Sequence, residues 1–456
     1  MARLASVVCM AAFFAGVAVA GLREPGGLER PLVLRGAAST SPLLGVDFRR
    51  NATWLVRLDP RTLAVRPRRR LAFGNFSPFG SSYSPDRRWL AFGGQSSTRL
   101  TYDKARLRLV DTRTLRTART LSLGIVGDVV ATQWATRDRL FAVVRSREDS
   151  GDESAPAIVV DRVVVADPTT GVVLARHEIT GSTVAVASTD RALVLVLAPA
   201  RYGPVRLVLA RTDGTVAAVA LERIWAGLDE TTDGVPRLQA AGVAVEPRSG
   251  RAYVVAAGAP VAEVALDTLA VGYHTLAQPV SLLGRLHDWL EPRAQAKFLE
   301  GSRRLAYWLG DGRLAVFGYD TSTYRSGDRL AMRQRPSGLL VIDTRSWSSS
   351  VIDGRASELA VAKDALLSWG WGWDSGTQRE LGTGVRIYDR TGAGRFHLFG
   401  ARVILSVQVV GGRAFVRPST GNGYSIIDTR TGRQIRTIRG RELPLVLGGQ
   451  TLSTFG

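Results

Sequence analysis

The sequence predicts an all-β fold, a β-propeller of four-stranded blades. Three observations predict it: one hairpin signature recurs along the chain, its spacing matches a blade, and the two chain ends complement each other. In the signature an apolar run ends in Asp, a turn rich in Thr, Gly and Arg follows, and a second alternating run begins. Clear copies start at Asp59, Asp111, Asp167, Asp343, Asp389 and Asp428, as in Asp111-Thr112-Arg113-Thr114-Leu115 and Asp428-Thr429-Arg430-Thr431-Gly432. Weaker copies centre on Asp213-Gly214 and Asp267-Thr268. β-Branched and aromatic residues favour the pleated strand, Asp opens a turn by bonding nearby amides, and Gly supplies the positive φ that closes it.

Successive Asp positions lie 52, 56, 46, 54, 76, 46 and 39 residues apart. That is one four-stranded blade plus loop insertions. Each interval holds a second hairpin, such as Ser84-Pro85-Asp86-Arg87-Arg88 ahead of Trp89-Leu90-Ala91-Phe92. Two hairpins make one sheet, and this spacing favours eight blades, with seven the alternative.

Taken in chain order, residues 1–20 read as a signal peptide. Arg3 precedes an apolar stretch, and Ala18-Val19-Ala20 fits a small-residue cleavage site. An uncleaved membrane anchor is the alternative. Residues 21–45 form a linker and residues 46–456 a single propeller domain. Near the start only the hairpin around Asp59 is visible. The segments 443–447 and 451–455 at the other end read as a blade's first two strands. Pairing of these N- and C-terminal strands closes the ring and removes open sheet edges. The longest interval carries the main insertion, residues 278–337, where 281–296 suits one or two helical turns. Further surface excursions are expected at residues 147–155 and 228–236, and such loops often carry function.

The pattern Asp-x-x-Thr-Gly resembles the YVTN/YncE-like repeats of exported bacterial propellers. Ser84-Pro85-Asp86-Arg87-Arg88-Trp89-Leu90-Ala91-Phe92 is similar to the core of WD40-like and TolB-type repeats, with Arg87 where Gly is usual. The similarity spreads over most of the mature chain but is repeat-level. It implies the fold, and a platform for binding more often than an enzyme.

The formal charge is +20, almost all of it arginine, with lysine only at Lys104, Lys297 and Lys363. The arginines are scattered, apart from Arg66-Pro67-Arg68-Arg69-Arg70, and lack the basic and aromatic interleaving of a nucleic-acid binder. Nucleic acid is therefore not an expected partner, while an anionic envelope surface or polymer remains one. Cys9 is the only cysteine, so disulfides and thiolate sites are excluded from the mature chain. His177, His274, His287 and His397 share no close ligand spacing. No Gly-x-Ser-x-Gly elbow stands in a suitable context, and the Asp229, Glu230 and Asp233 group lacks the spacing of a calcium loop. No metal, no cofactor and no catalytic residue is assigned; pyrroloquinoline quinone is not expected.

The string Trp369-Gly370-Trp371-Gly372-Trp373 is unusual. Alternation puts its three indoles on one strand face, for packing between blades or as an aromatic platform. Its end, Trp373 with Asp374, is placed nearest a rim. Together with Tyr319, Tyr324 and Arg325 of the insertion it forms the candidate ligand-binding set. The expected function is a non-catalytic, monomeric, exported scaffold that binds a protein, peptide or glycan of the cell envelope. The alternative is a lyase or hydrolase acting at the mouth of the central channel.

Overall fold

A computed structural model describes residues 42–49, 52–74, 76–94, 104–136, 138–148, 158–189, 192–230, 236–276, 300–326, 329–447 and 451–452. The expected signal peptide, most of the linker, the helical turns at 281–296, His287 and most of the acidic loop lie outside these residues.

Every described regular element is a β-strand. The strands form four-stranded antiparallel blades. Five sheets are separate: 44–74 with 445–446, then 76–126, 128–179, 242–274 and 404–439. The remaining fifteen strands are one continuous sheet. Within it, Ser182–Ser188 to Val216–Glu230 and Glu358–Val361 to Gly394–Leu398 are two four-strand meanders. A third runs through Glu300–Gly310, Arg313–Ser326, Leu339–Asp343 and Ser349–Asp353. Pairing alone thus isolates five blades, because long strand extensions fuse the others; it does not by itself return the expected eight.

The core lies between blades. Strand Ala192–Ala198 is buried along its whole length. Its Leu193, Leu195 and Leu197 pack toward the preceding sheet, while Val194, Val196 and Ala198 pack toward the following one. A strand buried on both faces has no polar side to alternate with, which explains its unbroken apolar run.

The Asp signature behaves as its chemistry requires. The Oδ1 of Asp111, Asp343 and Asp428 accepts the amides two and three residues on, at 2.7–3.0 Å. In these three copies the Thr that follows reaches the blade's other turn through its hydroxyl: Thr112 donates to the Arg87 carbonyl, Thr344 to Gly312 and Thr429 to Gly412, each at 2.9 Å. The Asp-Thr pair therefore ties both hairpins of a blade at one end. The residue closing the turn has positive φ, and it is Leu63, Leu115, Leu269 and Trp347 where it is not Gly. Leu63 and Leu115 are buried against a neighbouring sheet, and that burial offsets the left-handed cost of about 1–2 kcal/mol.

The ring closes with strands from both termini, but the division differs from expectation. Leu44–Arg49, Ala52–Leu58 and Val65–Gly74 supply three strands, and Leu445–Val446 alone supplies the fourth. Leu44 and Val46 are fully buried, so the segment before Asp59 takes a strand place that the Asp59 hairpin alone did not reveal. Thr451–Leu452 has no place left there and pairs with Leu359 and Ala360 instead. The seam itself is short. Gly45 pairs with Val446 and Val46 with Leu445. The buried Gln408 of the last sheet braces it, donating to the Pro444 carbonyl at 2.8 Å and accepting the Val446 amide at 2.6 Å. Tyr424 adds a bond to the Thr62 carbonyl at 2.7 Å.

Gln408→Ala leaves a buried amide and a buried carbonyl unpaired, and is expected to cost about 2–4 kcal/mol, read as a lower midpoint in chemical denaturation. Tyr424→Phe removes one bond and is expected to cost about 1 kcal/mol in the same measurement.

Candidate functional site

All Asp turns join the third and fourth strands of a blade and so share one end of the fold. At the opposite end, strand extensions build a single arm. Its members are the ends of Val216–Glu230, Pro236–Ala240, Glu300–Gly310, Arg313–Ser326, Arg329–Pro336, Ala365–Asp374 and Arg379–Asp389. These seven strands pair in that order, crossing from blade to blade. Only the step from Pro236–Ala240 to Glu300–Gly310 is parallel. The polar excursion near residue 230, the later part of the long insertion and the Trp-Gly string are thus parts of one structure.

Register assigns the faces. Tyr319 stands opposite Arg303 and Pro336, and Gln334 stands opposite Thr321 and Trp373. Continuing by two residues sets Trp371 against Pro336. This face carries Tyr319, Pro336, Trp371 and Trp373, all half-buried, with the buried Arg303 beside Tyr319. The other face carries charge. Arg304 pairs with Asp320 at 2.8 Å, and Arg333 pairs with Asp374.

Of the expected residues, the arm gathers all five but divides them. Tyr319 and Trp373 share the aromatic face, and Tyr324 and Asp374 touch on the charged one. Arg325 lies near the tip of its strand, paired through its backbone with Leu330.

Asp374 is buried and its oxygens are committed. Oδ1 accepts from the Tyr324 hydroxyl and from the amides of Gly376 at 3.0 Å and Thr377 at 3.3 Å. Oδ2 accepts from Arg333 Nε at 2.8 Å and Nη2 at 2.7 Å. Arg333 also covers the Tyr324 ring, 4.6 Å from its centroid. Burial pushes the Asp374 carboxyl up, but the bonds from Tyr324 and Arg333 outweigh it and hold it at about 2. The same bond to the carboxylate pushes the Tyr324 phenol up. Asp374 is therefore a staple between two hairpins of the arm, aided by Ser375, whose hydroxyl accepts the Met332 amide at 2.6 Å. Sequence reasoning missed Arg333. Its signal is the alternation in Arg329–Pro336, which places Arg333 and Arg335 on one face next to a Tyr-bearing strand.

The Trp-Gly string splits by function. Trp369 is fully buried in the contact with the next blade. Its glycines admit backbone rather than bulky side chains: a Cβ at Gly370 would collide with the Arg355 carbonyl, and one at Gly372 would lie 2.8 Å from the Gln334 carbonyl.

Two more buried aspartates at this end are clamped by arginine. Asp161 is held by Arg145 at 2.8 and 2.9 Å and by the Thr183 amide at 2.7 Å. Asp353 is held by Arg386 and the Ser368 hydroxyl, both at 2.5 Å. The described histidines also have structural partners. His177 meets the Gly214 carbonyl at 2.8 Å, His397 the Thr383 carbonyl at 2.9 Å, and His274 pairs with Glu263 and stacks on Trp347. Among the described residues no group of three or more His, Cys, Asp or Glu could hold a metal ion, and no helix is long and apolar enough to cross a membrane.

No family model matches the chain, and no curated protein matches it. Solved structures do. Dihydro-heme d1 dehydrogenase NirN, in complex with DHE, is similar with a TM-score of 0.50 at 13% identity, over 93% of this chain and 76% of that one. BamB from Moraxella catarrhalis gives a TM-score of 0.43 at 10% identity, over 81% and 92%. Apo AztD from Citrobacter koseri gives 0.42 at 11%, over 89% and 96%. At such identity the likeness concerns the fold alone. The chain has the β-propeller fold.

Asp374→Asn weakens the arm without touching the blades. Hydrogen exchange in residues 329–336 and 369–382 is expected to quicken on the order of tenfold, with the blade cores unchanged. Asp374 is ionised at lower pH in the folded chain than in the unfolded one. Its contribution is therefore full above the unfolded value of about 4 and lost as pH falls toward about 2. Exchange in the same segments of the wild type should quicken across that window.

Proposed function

We propose that the protein is an exported, non-catalytic binding scaffold whose arm receives a protein, peptide or glycan partner. The observation that carries this reading is the aromatic face of the arm, with Tyr319, Trp371 and Trp373 half-buried on a sheet locked from behind by the Asp374 staple. Rigid aromatic side chains offer large contact area at low conformational cost, and stack equally on sugar rings and on apolar peptide groups. The buried aspartates of this end favour binding over catalysis, because Asp161, Asp353 and Asp374 are each neutralised by an arginine and filled with hydrogen bonds. A general acid or base needs a carboxyl with a free oxygen and a raised pKa.

The test is a glycan and peptide array probed with the mature chain, followed by titration of the best ligand. Tyr319→Ala and Trp373→Ala are expected to weaken binding by about tenfold each, with the melting temperature unchanged. Unchanged affinity in both variants would remove the arm from the reading, and turnover of the bound ligand would replace a scaffold with an enzyme.

A further inference from the structure

We propose that the cleft between the first and last sheets is a second binding site, taking a small molecule that carries two phosphate or carboxylate groups. The cleft has a volume of about 430 Å3. Arg66 and Arg70 line it from the first sheet, Arg441 and Tyr424 from the other side, and Asp47 and Glu442 also border it. Such a volume suits a ligand of a few rings or charged groups.

The guanidiniums are only loosely engaged. Arg66 reaches Asp59 at 3.4 Å in an exposed pair, and Arg70 lies over the Trp54 ring at 5.3 Å. Arg441 makes no ion pair among the described residues, while Glu442 faces Arg417 at 3.5 Å. Positive charge thus exceeds what the cleft itself neutralises.

The backbone concentrates that charge. Leu58 pairs with Val65 and Val56 pairs with Arg70, so two steps along one strand face five along its neighbour, an excess of three residues. The excess falls on Arg66-Pro67-Arg68-Arg69-Arg70, the densest basic run in the sequence. A regular strand would set residues 65 and 70 about 17 Å apart, whereas the bulge leaves them about 7 Å apart along the ladder. Arg66 and Arg70 therefore spring from nearby points on one wall, and Arg441 faces them from the other. One oxyanion is held well by one guanidinium fork, so a ligand with two such groups can engage both walls at once. It would then tie Val65–Gly74 to the segment that leads from the last sheet into Leu445–Val446, whose pairing within the first sheet spans two residues on each strand. Ligand and closure should be thermodynamically linked.

The full chain is titrated by calorimetry at low salt with inorganic pyrophosphate and, separately, with digalacturonate; the two arms distinguish a phosphate from a carboxylate source. One-to-one binding by at least one probe, with a raised melting temperature, is expected. Arg70→Gln and Arg441→Gln should each weaken it by about tenfold and reduce the melting shift at the same probe concentration. Both side chains are exposed, and the ligand-free melting curve checks that each variant folds. Arg113→Gln, on an exposed turn of another sheet, should keep full affinity. An equal loss in Arg113→Gln would show diffuse attraction to a chain of charge +20 and overturn the proposal. So would the absence of binding by either probe up to ~10 mM. Neither result bears on the aromatic face of the arm, which is tested separately.

Discussion

The structure depends on one constraint: each blade is apolar on both faces, so no sheet can be stable without a neighbour on either side. Strand Ala192–Ala198 shows it most plainly, with leucines feeding one inter-blade core and valines and alanines the next. Small side chains opposite large ones let adjacent sheets approach as wedges. Removing a blade would expose two such faces at once, at about 25 cal/mol for each Å2 returned to water. Closure is thus a requirement on the whole ring. The seam, with its two-residue strand, Gln408 and Tyr424, is where the requirement is met with the least backbone pairing.

The same constraint gives several arginines a structural task. Packing flat sheets side by side leaves carbonyls at turns and strand ends facing the next blade, and an arginine fork can reach them. Arg176 donates to the Leu123 carbonyl at 3.1 Å, Arg211 to Leu266 at 3.2 Å and Arg413 to Arg61 at 3.3 Å, each across a blade boundary. Arg390 bonds the Leu309 carbonyl, and its burial lowers its pKa. Carbonyl partners carry no negative charge, so these residues add cations without adding carboxylates. A high net charge therefore follows from inter-blade bonding as well as from any attraction to anionic partners, and total charge is a poor guide to function here. Local geometry is a better one: the bulge between Val65 and Arg70 brings the backbone of Arg66 and Arg70 close together.

The repeat was legible because its chemistry is local. Asp59 through Asp428 each sit in a turn closed within four residues, and in three of the four copies where Thr follows, its hydroxyl bonds the other turn of the same blade. The site was half legible. Trp373, Asp374, Tyr319, Tyr324 and Arg325 were all placed on one arm, but their faces depend on a pairing between Arg329–Pro336 and Ala365–Asp374, some forty residues apart, that no local pattern encodes. Hence Asp374, read as a ligand contact, is filled by Tyr324 and Arg333, and Arg333 went unread. Closure was misdivided for a similar reason. Leu44, Val46 and Phe48 alternate as a strand, yet lie next to a segment with no Asp turn to mark them.

The two ends of the fold answer to different demands. At the turn end each Asp carboxylate is spent on its own backbone, and hydrogen bonds that outweigh the opposing effect of burial leave Asp167 and Asp428 with lowered pKa values. Repetition there is a matter of stability, because any blade must present the same turn to lock its hairpins. At the arm end the strands run past the blade and pair with the next one, so the sequence is released from the repeat. The aspartates buried there are held by arginines from neighbouring strands, which fixes backbone position while leaving the opposite face of the arm free to vary. The binding role proposed above would use this division, with one end locked by repeated turns and the other held rigid by buried ion pairs. The aromatic face of Tyr319, Trp371 and Trp373 lies at the arm end, where the Asp374 staple ties together the strands that carry it from their other face.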